Sequence, residues 1–253
     1  MRLLQIYNQY RSLFGGEETV ARQIAALVEE HGGEARLILR SSRGLDKTMR
    51  GRAQVFISGI YNPIAAREVT REIEDYRPEI VHVHNLYPLF SPSVLVSVRK
   101  MGVPIVMTVH NHFHTCPTAD HLRNGKICEL CVGGREYNCL LRNCRGHVFE
   151  SLGYALRSAV ARKFRLFVDN VHVTIALNEF ARQQLILAGF DPERVAVLPN
   201  MANVSGSAGD TGGSGYALFS GRMCPEKGVS TLLEAAARLP EIPVRLAGDG
   251  PTF

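Results

Sequence analysis

Tyr216–Gly228, with the sequence YALFSGRMCPEKG, is the stretch that decides the fold of this chain. It predicts a strand, a turn at Gly221 and a helix that begins after Gly228. Arg222 and Lys227 therefore lie near the expected N-terminus of that helix. Backbone N–H groups and the helix dipole favour an anion there, and both cations suit phosphate oxygens. The stretch thus predicts a diphosphate site, although two surface cations beside an ordinary strand–helix turn remain the alternative.

The sequence around this stretch carries a wider pattern, GRMCPEKGVSTLLEAAARL followed by VRLAGDGP. It resembles the opening of the donor domain in retaining, nucleotide-sugar-dependent glycosyltransferases of the GT-B fold, family 4 type. The resemblance implies that Arg222 and Lys227 act catalytically by neutralising the leaving diphosphate, which removes the need for a catalytic metal. It also implies that Gly248 and Gly250 belong to the donor-binding site, and that the acceptor is held by the preceding domain.

The preceding residues alternate between short apolar runs and segments with helical spacing. A strand, a Gly-Gly turn and a helix at the start form the first unit of a doubly wound sheet. The repeated alternation with short connections predicts an α/β fold, a Rossmann-like parallel sheet covered by helices. The predicted strands of this sheet are Leu3–Tyr7, Ala35–Arg40, Ile80–His84, Pro104–Val109, Val171–Ala176 and Val195–Leu198.

The chain is expected to contain one complete and one incomplete domain. Residues 1–204 form the acceptor-side domain, 205–215 (SGSAGDTGGSG) a flexible linker, and 216–253 the start of a second Rossmann-like domain. Two strands and one helix cannot close a stable sheet, so this second part should expose apolar side chains. The paired glutamates of the resembled donor domain are not found, and we therefore expect a fragment whose own turnover is incomplete.

Two segments of the first domain are predicted from composition and periodicity. Arg43–Arg52 is polar and basic without periodicity, which predicts a loop. Phe149–Val168 predicts a long helix, with large apolar residues on one face and basic residues elsewhere. Packing of that face on the sheet is the favoured interpretation, and attachment of a basic amphipathic helix to an anionic membrane is the alternative.

The candidate residues of the first domain lie at the expected ligand-binding edge of its sheet. Gly15 and Gly16 either permit a tight turn or, as the resemblance implies, let the backbone approach the donor phosphates and the acceptor. His110 follows a predicted strand, where open α/β sheets bind ligands, and it matches a histidine that the resembled enzymes place near the reacting sugar. We expect His110 to contact a hydroxyl group, whereas His82 and His84 are interpreted as packing residues.

A Cys/His-rich insertion is expected at about 110–147. Cys128 and Cys131 form a C-x-x-C turn, and Cys116 and Cys144 complete a set of four thiols that suits tetrahedral zinc. Cys139 would be a spare ligand. The outer spacings match no well-defined zinc finger, so free thiols and a disulfide remain alternatives to structural zinc.

Charge and composition restrict the class of partner. The 253 residues carry a formal charge of +5, with a sequence pI near 9.0 and 45% hydrophobic residues. These values fit a globular protein with anionic partners, namely a nucleotide-diphosphate sugar, a polyprenyl-linked or sugar acceptor, or an anionic membrane surface. No apolar run reaches the length of a membrane span, which predicts a cytoplasmic protein that can attach peripherally to the inner face of the membrane. Nucleic acid is not among the expected partners.

The function expected from these features is retaining transfer of a hexose to a hydroxyl acceptor, in bacterial polysaccharide or glycolipid assembly. That expectation rests on the resemblance to family 4 enzymes. Two alternatives stay open: a module that binds an acceptor or lipid carrier without turnover, and an interaction domain stabilised by zinc.

Overall fold

The computed structural model describes residues 1–9, 16–201 and 215–250. The chain divides into two compact units, Met1–Met201 and Ala202–Phe253. The predicted linker at 205–215 lies outside the described residues except for Gly215, and Gly15 lies outside them as well.

The first unit is built on a parallel sheet with the strand order β2-β1-β3-β4-β7-β8. A separate small hairpin is formed by β5 and β6. This arrangement confirms the predicted Rossmann-like sheet. The strands of the unit are β1 (Arg2–Gln9), β2 (Glu34–Ser41), β3 (Ile80–Val83), β4 (Ile105–Val109), β5 (Leu122–Arg123), β6 (Lys126–Ile127), β7 (Val173–Ala176) and β8 (Val195–Val197).

Helices connect successive strands, as parallel pairing requires. Those of the first unit are α1 (Gly16–Glu30), α2 (Met49–Ile60), α3 (Pro63–Tyr76), α4 (Ser93–Lys100), α5 (Tyr137–Leu141), α6 (Val148–Lys163) and α7 (Glu179–Leu187). None of the helices in the described part of the chain is long and apolar enough to cross a membrane.

The core lies around the central strands, which are covered on both faces. Ile6, Val81 and Val83 are completely buried, and so is Phe90 in the connection between β3 and α4. Near-continuous apolar runs are typical of parallel strands buried in this way, which explains why these strands were predictable.

The start of α3 is also predictable from the chemistry of its first residues. The Asn62 side chain accepts a hydrogen bond of 3.0 Å from the backbone N–H of Ala65, and Pro63 occupies the first turn. Because the first four N–H groups of a helix have no partner within it, a capping side chain fixes where the helix begins. The predicted helix start is confirmed.

The prediction of a loop over Arg43–Arg52 is wrong. A short 3-10 turn at Leu45–Lys47 leads into α2, and the Thr48 hydroxyl accepts a hydrogen bond of 3.0 Å from Gly51 N–H. A side chain at Gly51 would place its Cβ 2.0 Å from the Leu45 carbonyl oxygen. The glycine that weakens the helical pattern therefore permits the close approach of this turn to α2.

The predicted packing of the helix over Phe149–Val168 is only partly right, because Phe167 lies in the core of the first unit but other large side chains of the predicted face do not. The helix α6 ends at Lys163, and it buries small residues, among them Gly153 and Ala155. The large side chain of Phe164 is 63% exposed. A Cβ at Gly153 would lie 2.7 Å from the Phe56 ring of α2, so α6 packs closely on α2 through its small residues. Sequence periodicity favours large apolar residues, and it therefore missed the contact that the small residues of α6 make with α2.

The second unit contains two parallel strands, β9 (Ala217–Ser220) and β10 (Val244–Ala247), with α8 (Val229–Arg238) between them. Leu218 is 60% exposed and Leu233 is 50% exposed. The prediction that the described part of 216–253 exposes apolar side chains is confirmed.

Candidate functional site

Polar side chains lie where two neighbouring strands of the first unit end. His84 and Asn85 follow β3, and His110 and Asn111 follow β4. Because parallel strands end at the same edge, these side chains meet beside the first turn of α1. That turn contributes Glu17, whose carboxylate lies 3.5 Å from the Asn111 side-chain nitrogen that donates to it.

The hydrogen bonds determine which ring nitrogens of His84 and His110 carry a proton. The Gln5 side-chain nitrogen donates to the Ala21 carbonyl oxygen over 2.9 Å, which leaves Gln5 Oε1 as an acceptor. His84 Nε2 lies 2.8 Å from that oxygen and must therefore donate to it. In neutral His84, Nδ1 is then an acceptor, and His110 Nε2 donates to it over 3.1 Å. Neutral His110 consequently keeps a lone pair on Nδ1.

Both histidines are held neutral by their surroundings. Burial lowers the pKa of His110 to about 4. Burial, followed by the charges of His82 and His110, lowers the pKa of His84 to about 2. Removing water disfavours the charged imidazolium form, so the lone pair of His110 persists at neutral pH. A partly buried imidazole of this kind can accept a hydrogen bond from a ligand hydroxyl.

Glu17 was not found by sequence reasoning. Burial raises the pKa of its carboxyl group, while hydrogen bonds from Asn111 and Asn85 oppose that rise. An acidic residue in the first turn of a helix is common, because it stabilises the helix dipole, and it therefore gave no distinctive signal. Its position directly after the Gly-Gly pair was the available clue.

The buried His82 predicts a pH dependence of stability. Its Nε2 lies 2.8 Å from Thr108 Oγ1, and burial, followed by the charge of His110, lowers its pKa from 6.5 to about 4. Between these two pH values the unfolded chain binds more protons at His82 than the folded chain does. The contribution of neutral His82 to stability is therefore fully present above pH 6.5 and is lost as the pH falls toward 4. The contribution of His82 amounts to about 3 kcal/mol.

This expectation is checked by urea unfolding across that pH range. Between pH 6.5 and 4 the free energy of unfolding should fall by about 3 kcal/mol less in His82→Gln than in the wild type, because glutamine does not titrate. His31→Gln, at an exposed position, should leave the decline intact. Equal slopes in the wild type and the His82 variant would contradict the assignment.

The predicted glycines of the first unit are Gly15 and Gly16. Gly15 lies outside the described residues. Gly16 is the exposed first residue of α1, and a Cβ added to it would meet no atom within 4 Å among the described neighbours. Its role in approaching phosphates or an acceptor stays a prediction.

The second unit places its predicted residues around one end of its sheet. Arg222 follows the turn after β9, and Lys227 ends a 3-10 turn that leads into α8. Both residues are exposed. Gly228 precedes α8 with a φ of 69°, and no side chain caps this helix. Its first N–H groups therefore favour an anion near the two cations.

The Gly248–Gly250 turn packs directly on the arginine-bearing turn. The backbone N–H of Met223 donates to the Asp249 carbonyl oxygen over 2.9 Å. A Cβ at Gly248 would lie 1.8 Å from the Gly221 oxygen, and one at Gly250 would lie 2.1 Å from the Met223 oxygen. These glycines therefore permit a backbone contact that shapes the site, while their contact with a donor stays a prediction.

The four predicted zinc ligands Cys116, Cys128, Cys131 and Cys144 are free cysteines. Within the described ranges, no group of three or more His, Cys, Asp or Glu side chains is already arranged so that it could hold a metal ion.

A cavity of about 650 Å³ lies between α2 and α6 in the first unit. Its wall is mainly apolar, with Phe56, Ile57 and Phe149 among the lining residues. Arg52 and Arg157 supply two positive charges, and Glu150 supplies one negative charge. The guanidinium group of Arg157 lies 3.9 Å from the centre of the Tyr154 ring. The cavity can accommodate a long apolar group that carries an anionic head.

The six-stranded parallel sheet and the polar groups at its carboxyl edge define a Rossmann-like domain of the kind found in GT-B glycosyltransferases. The sequence model of Glycosyltransferase Family 4 matches residues 14–205. This match spans most of the chain, and the chain belongs to that family. No curated protein matches this chain in sequence.

Solved structures share this fold at low sequence identity. HepE from Anabaena, crystallised with UDP, is 16% identical with a TM-score of 0.53, and the match covers 99% of this chain and 61% of HepE. The apo form of the lipopolysaccharide outer core galactosyltransferase WaaB is 15% identical with a TM-score of 0.50, covering 100% of this chain and 62% of WaaB. The chain thus spans about three fifths of the length of the structures it resembles.

Proposed function

We propose that this chain takes part in the transfer of a hexose from a nucleoside diphosphate sugar to a hydroxyl acceptor, with retention of configuration at the anomeric carbon. The observation that carries the proposal is the pair Arg222 and Lys227 at the uncapped N-terminus of α8, in a chain of a glycosyltransferase family. HepE has been crystallised with UDP and with UDP-glucose, which supports a uridine donor. Bacterial polysaccharide or glycolipid assembly is the proposed context.

The proposed reaction breaks the bond between the anomeric carbon and the diphosphate oxygen. The acceptor hydroxyl oxygen forms a new bond to the same carbon and on the same face, and its proton passes to the departing diphosphate. Negative charge grows on the diphosphate as it leaves. Arg222, Lys227 and the N–H groups of α8 stabilise that charge, which is their catalytic contribution. With these groups in place, the proposal assigns no catalytic metal.

His110 has the proposed role of orienting a hydroxyl group. Its pKa of about 4 makes it a weak base at neutral pH, so it does not remove the acceptor proton permanently. The lone pair on Nδ1 accepts a hydrogen bond from a hydroxyl of the sugar or the acceptor. A fixed orientation of this kind increases the reaction rate because it positions the reacting atoms.

The cavity between α2 and α6 is the proposed site for a polyprenyl-linked acceptor. Its apolar wall fits the isoprenoid chain, and Arg52 and Arg157 complement the phosphate charge. Exposed apolar side chains at the mouth, including Met49 and Phe149, would meet the membrane in which such a lipid resides. This part of the proposal places the protein in the cytoplasm, peripherally attached to the inner face of the membrane.

Binding to neutral vesicles that contain a polyprenyl phosphate tests the proposed acceptor cavity. Phe149→Ser should weaken binding roughly 10-fold or more, because it removes a phenyl ring that the proposed contact with the lipid would cover. Phe164→Ser is the matched control, since this side chain is 63% exposed and does not line the cavity. Equal losses in the two variants would contradict a specific role for the cavity.

The donor proposal is tested by titrating the chain with UDP, UDP-glucose and UDP-galactose in a calorimeter. Saturable binding that depends on Arg222 supports the transferase function. The second candidate, a module that binds a lipid carrier without turnover, is favoured by the large cavity. It predicts binding to polyprenyl phosphate vesicles and no heat with any of the three uridine nucleotides.

A further inference from the structure

A second cavity of the first unit, with a volume of about 290 Å³, lies beside the C-terminal ends of α6 and α7. We call it the α6–α7 cavity. The helix α7 leads from the end of β7 back to the start of the parallel strand β8. Its C-terminal end therefore lies toward the edge of the sheet opposite His110. The α6–α7 cavity is thus separate from the polar groups at the end of β4.

One buried polar atom in the wall of this cavity needs a partner. His114 lines the cavity, and its Nε2 atom is buried without a hydrogen bond to any residue that the structure describes. An unpaired buried nitrogen is costly, so a molecule in the cavity should pair with it. One water has a share of about 30 Å³ in the liquid, roughly a tenth of this volume. A single bound water therefore does not fill the cavity.

Aromatic rings form the apolar part of the wall. The centre of the His114 ring lies 3.9 Å from that of Phe113, 4.7 Å from that of Phe167 and 4.8 Å from that of Phe190. All four residues line the cavity. The C–H groups on one face of a sugar ring carry a partial positive charge, which complements the negative face of an aromatic ring. A ligand with a C–H face and hydroxyl groups at its edge suits this wall.

A planar ion pair forms the polar part of the wall. Arg162 Nε donates to Glu136 Oε1 over 2.6 Å, and Arg162 Nη2 donates to Glu136 Oε2 over 3.3 Å. A Cβ at Gly134, which has a φ of 88°, would lie 2.7 Å from the guanidinium carbon, so the glycine lets Arg162 lie against the turn. A carboxylate has about four acceptor sites and a guanidinium five N–H groups. The pair can therefore bond neighbouring hydroxyl groups as well.

The balance of charge favours a neutral ligand. Both arginines that line the cavity are paired, Arg162 with Glu136 and Arg165 with Asp169. Burial lowers the pKa of His114 to about 3, so its imidazole is neutral at pH 7. The C-terminal ends of α6 and α7 bring the negative ends of two helix dipoles. A phosphate or a carboxylate would therefore gain little here, whereas a neutral hydroxylated ligand meets no repulsion.

We propose that the α6–α7 cavity binds one neutral hexopyranose unit of a saccharide. Its ring face packs on the aromatic side chains, one hydroxyl group pairs with His114 Nε2, and neighbouring hydroxyl groups bond to Glu136 and Arg162. A hydroxyl group both donates and accepts, so it satisfies either neutral tautomer of His114. The volume lies near the lower end of the range of small-molecule sites. The saccharide's role rests on the proposed function: this unit belongs to the acceptor but does not react.

The test is saturation-transfer NMR of the full chain with the methyl α-glycosides of glucose, galactose and mannose. We expect at least one glycoside to receive saturation from the protein. His114→Phe keeps an aromatic ring in the cluster but removes the unpaired nitrogen, and it should weaken binding of that glycoside roughly 3- to 10-fold. His31→Phe, at an exposed position, is the control and should leave the affinity unchanged.

A second variant keeps the proposal testable if His114→Phe does not fold. Ser158 lines the cavity from α6, and Ser158→Leu should weaken binding by about 10-fold or more, because the larger side chain occupies space that the sugar needs. Ala159→Leu is the matched control, since the neighbouring residue lies outside the cavity lining. Absence of binding for all three glycosides, or equal affinity in the wild type and both cavity variants, would overturn the proposal.

A parallel titration with UDP separates this inference from the proposed function. Binding of UDP without binding of a glycoside would overturn the sugar site and leave the donor site intact. Binding of a glycoside that depends on His114, without binding of UDP, would support the sugar site and contradict the donor site.

Discussion

Arg222→Ala is expected to weaken the affinity of this chain for UDP roughly 10- to 100-fold in a calorimetric titration. The guanidinium group can donate two parallel hydrogen bonds to diphosphate oxygens, and hydrogen bonds to charged groups contribute about 1.5–3 kcal/mol. The loss in the rate of sugar transfer should be larger than the loss in affinity. The diphosphate gains negative charge as it leaves, so the same contact strengthens in the transition state.

The chain offers matched controls for this experiment. Arg238→Ala removes an arginine at the opposite end of α8, where the helix dipole repels anions, and it should leave UDP affinity unchanged. Arg222→Lys keeps the charge but loses the planar fork, and it should recover only part of the affinity. Equal UDP affinity in the wild type and Arg222→Ala would remove the main support for the donor site.

The strands and the start of α3 were predictable because local chemistry alone specifies them. The central strands are continuous apolar runs. At the start of α3 the Asn62 side chain accepts a hydrogen bond from an N–H group that has no partner within the helix, and Pro63 occupies the first turn. The packing of α6 was not predictable in this way. Gly153 faces Phe56 of a helix about a hundred positions earlier, and no local pattern records that a small residue is required there.

The position of His110 at the end of β4 was predictable from the sequence, but its protonation was not. A histidine after a parallel strand belongs at the ligand-binding edge, and this placed His110. The lone pair on its Nδ1 depends on Gln5 of β1, on His84 directly after β3 and on the Ala21 carbonyl oxygen of α1. Glu17 enters the same site through hydrogen bonds that only the folded chain brings together. Such networks join residues that are far apart in the chain, so they produce no recognisable residue spacing in the sequence.

His110→Ala is expected to lower the rate of UDP release from UDP-glucose by about 100-fold, because it removes the group that orients a reacting hydroxyl. Two amide substitutions separate the roles of the imidazole nitrogens. The oxygen of Asn occupies the place of Nδ1 and can accept the ligand hydrogen bond. The amide nitrogen of Gln reaches the place of Nε2 and can donate to His84, but it leaves no acceptor at Nδ1.

His110→Asn should therefore restore part of the lost rate, whereas His110→Gln should resemble His110→Ala. Because the pKa of His110 is about 4, the wild-type rate should not fall through a His110 titration between pH 8 and about 5. His31→Ala, at an exposed position, is the control for general effects of losing an imidazole. A Gln variant as active as the Asn variant would mean that the bond to His84, rather than the lone pair on Nδ1, is what the reaction requires.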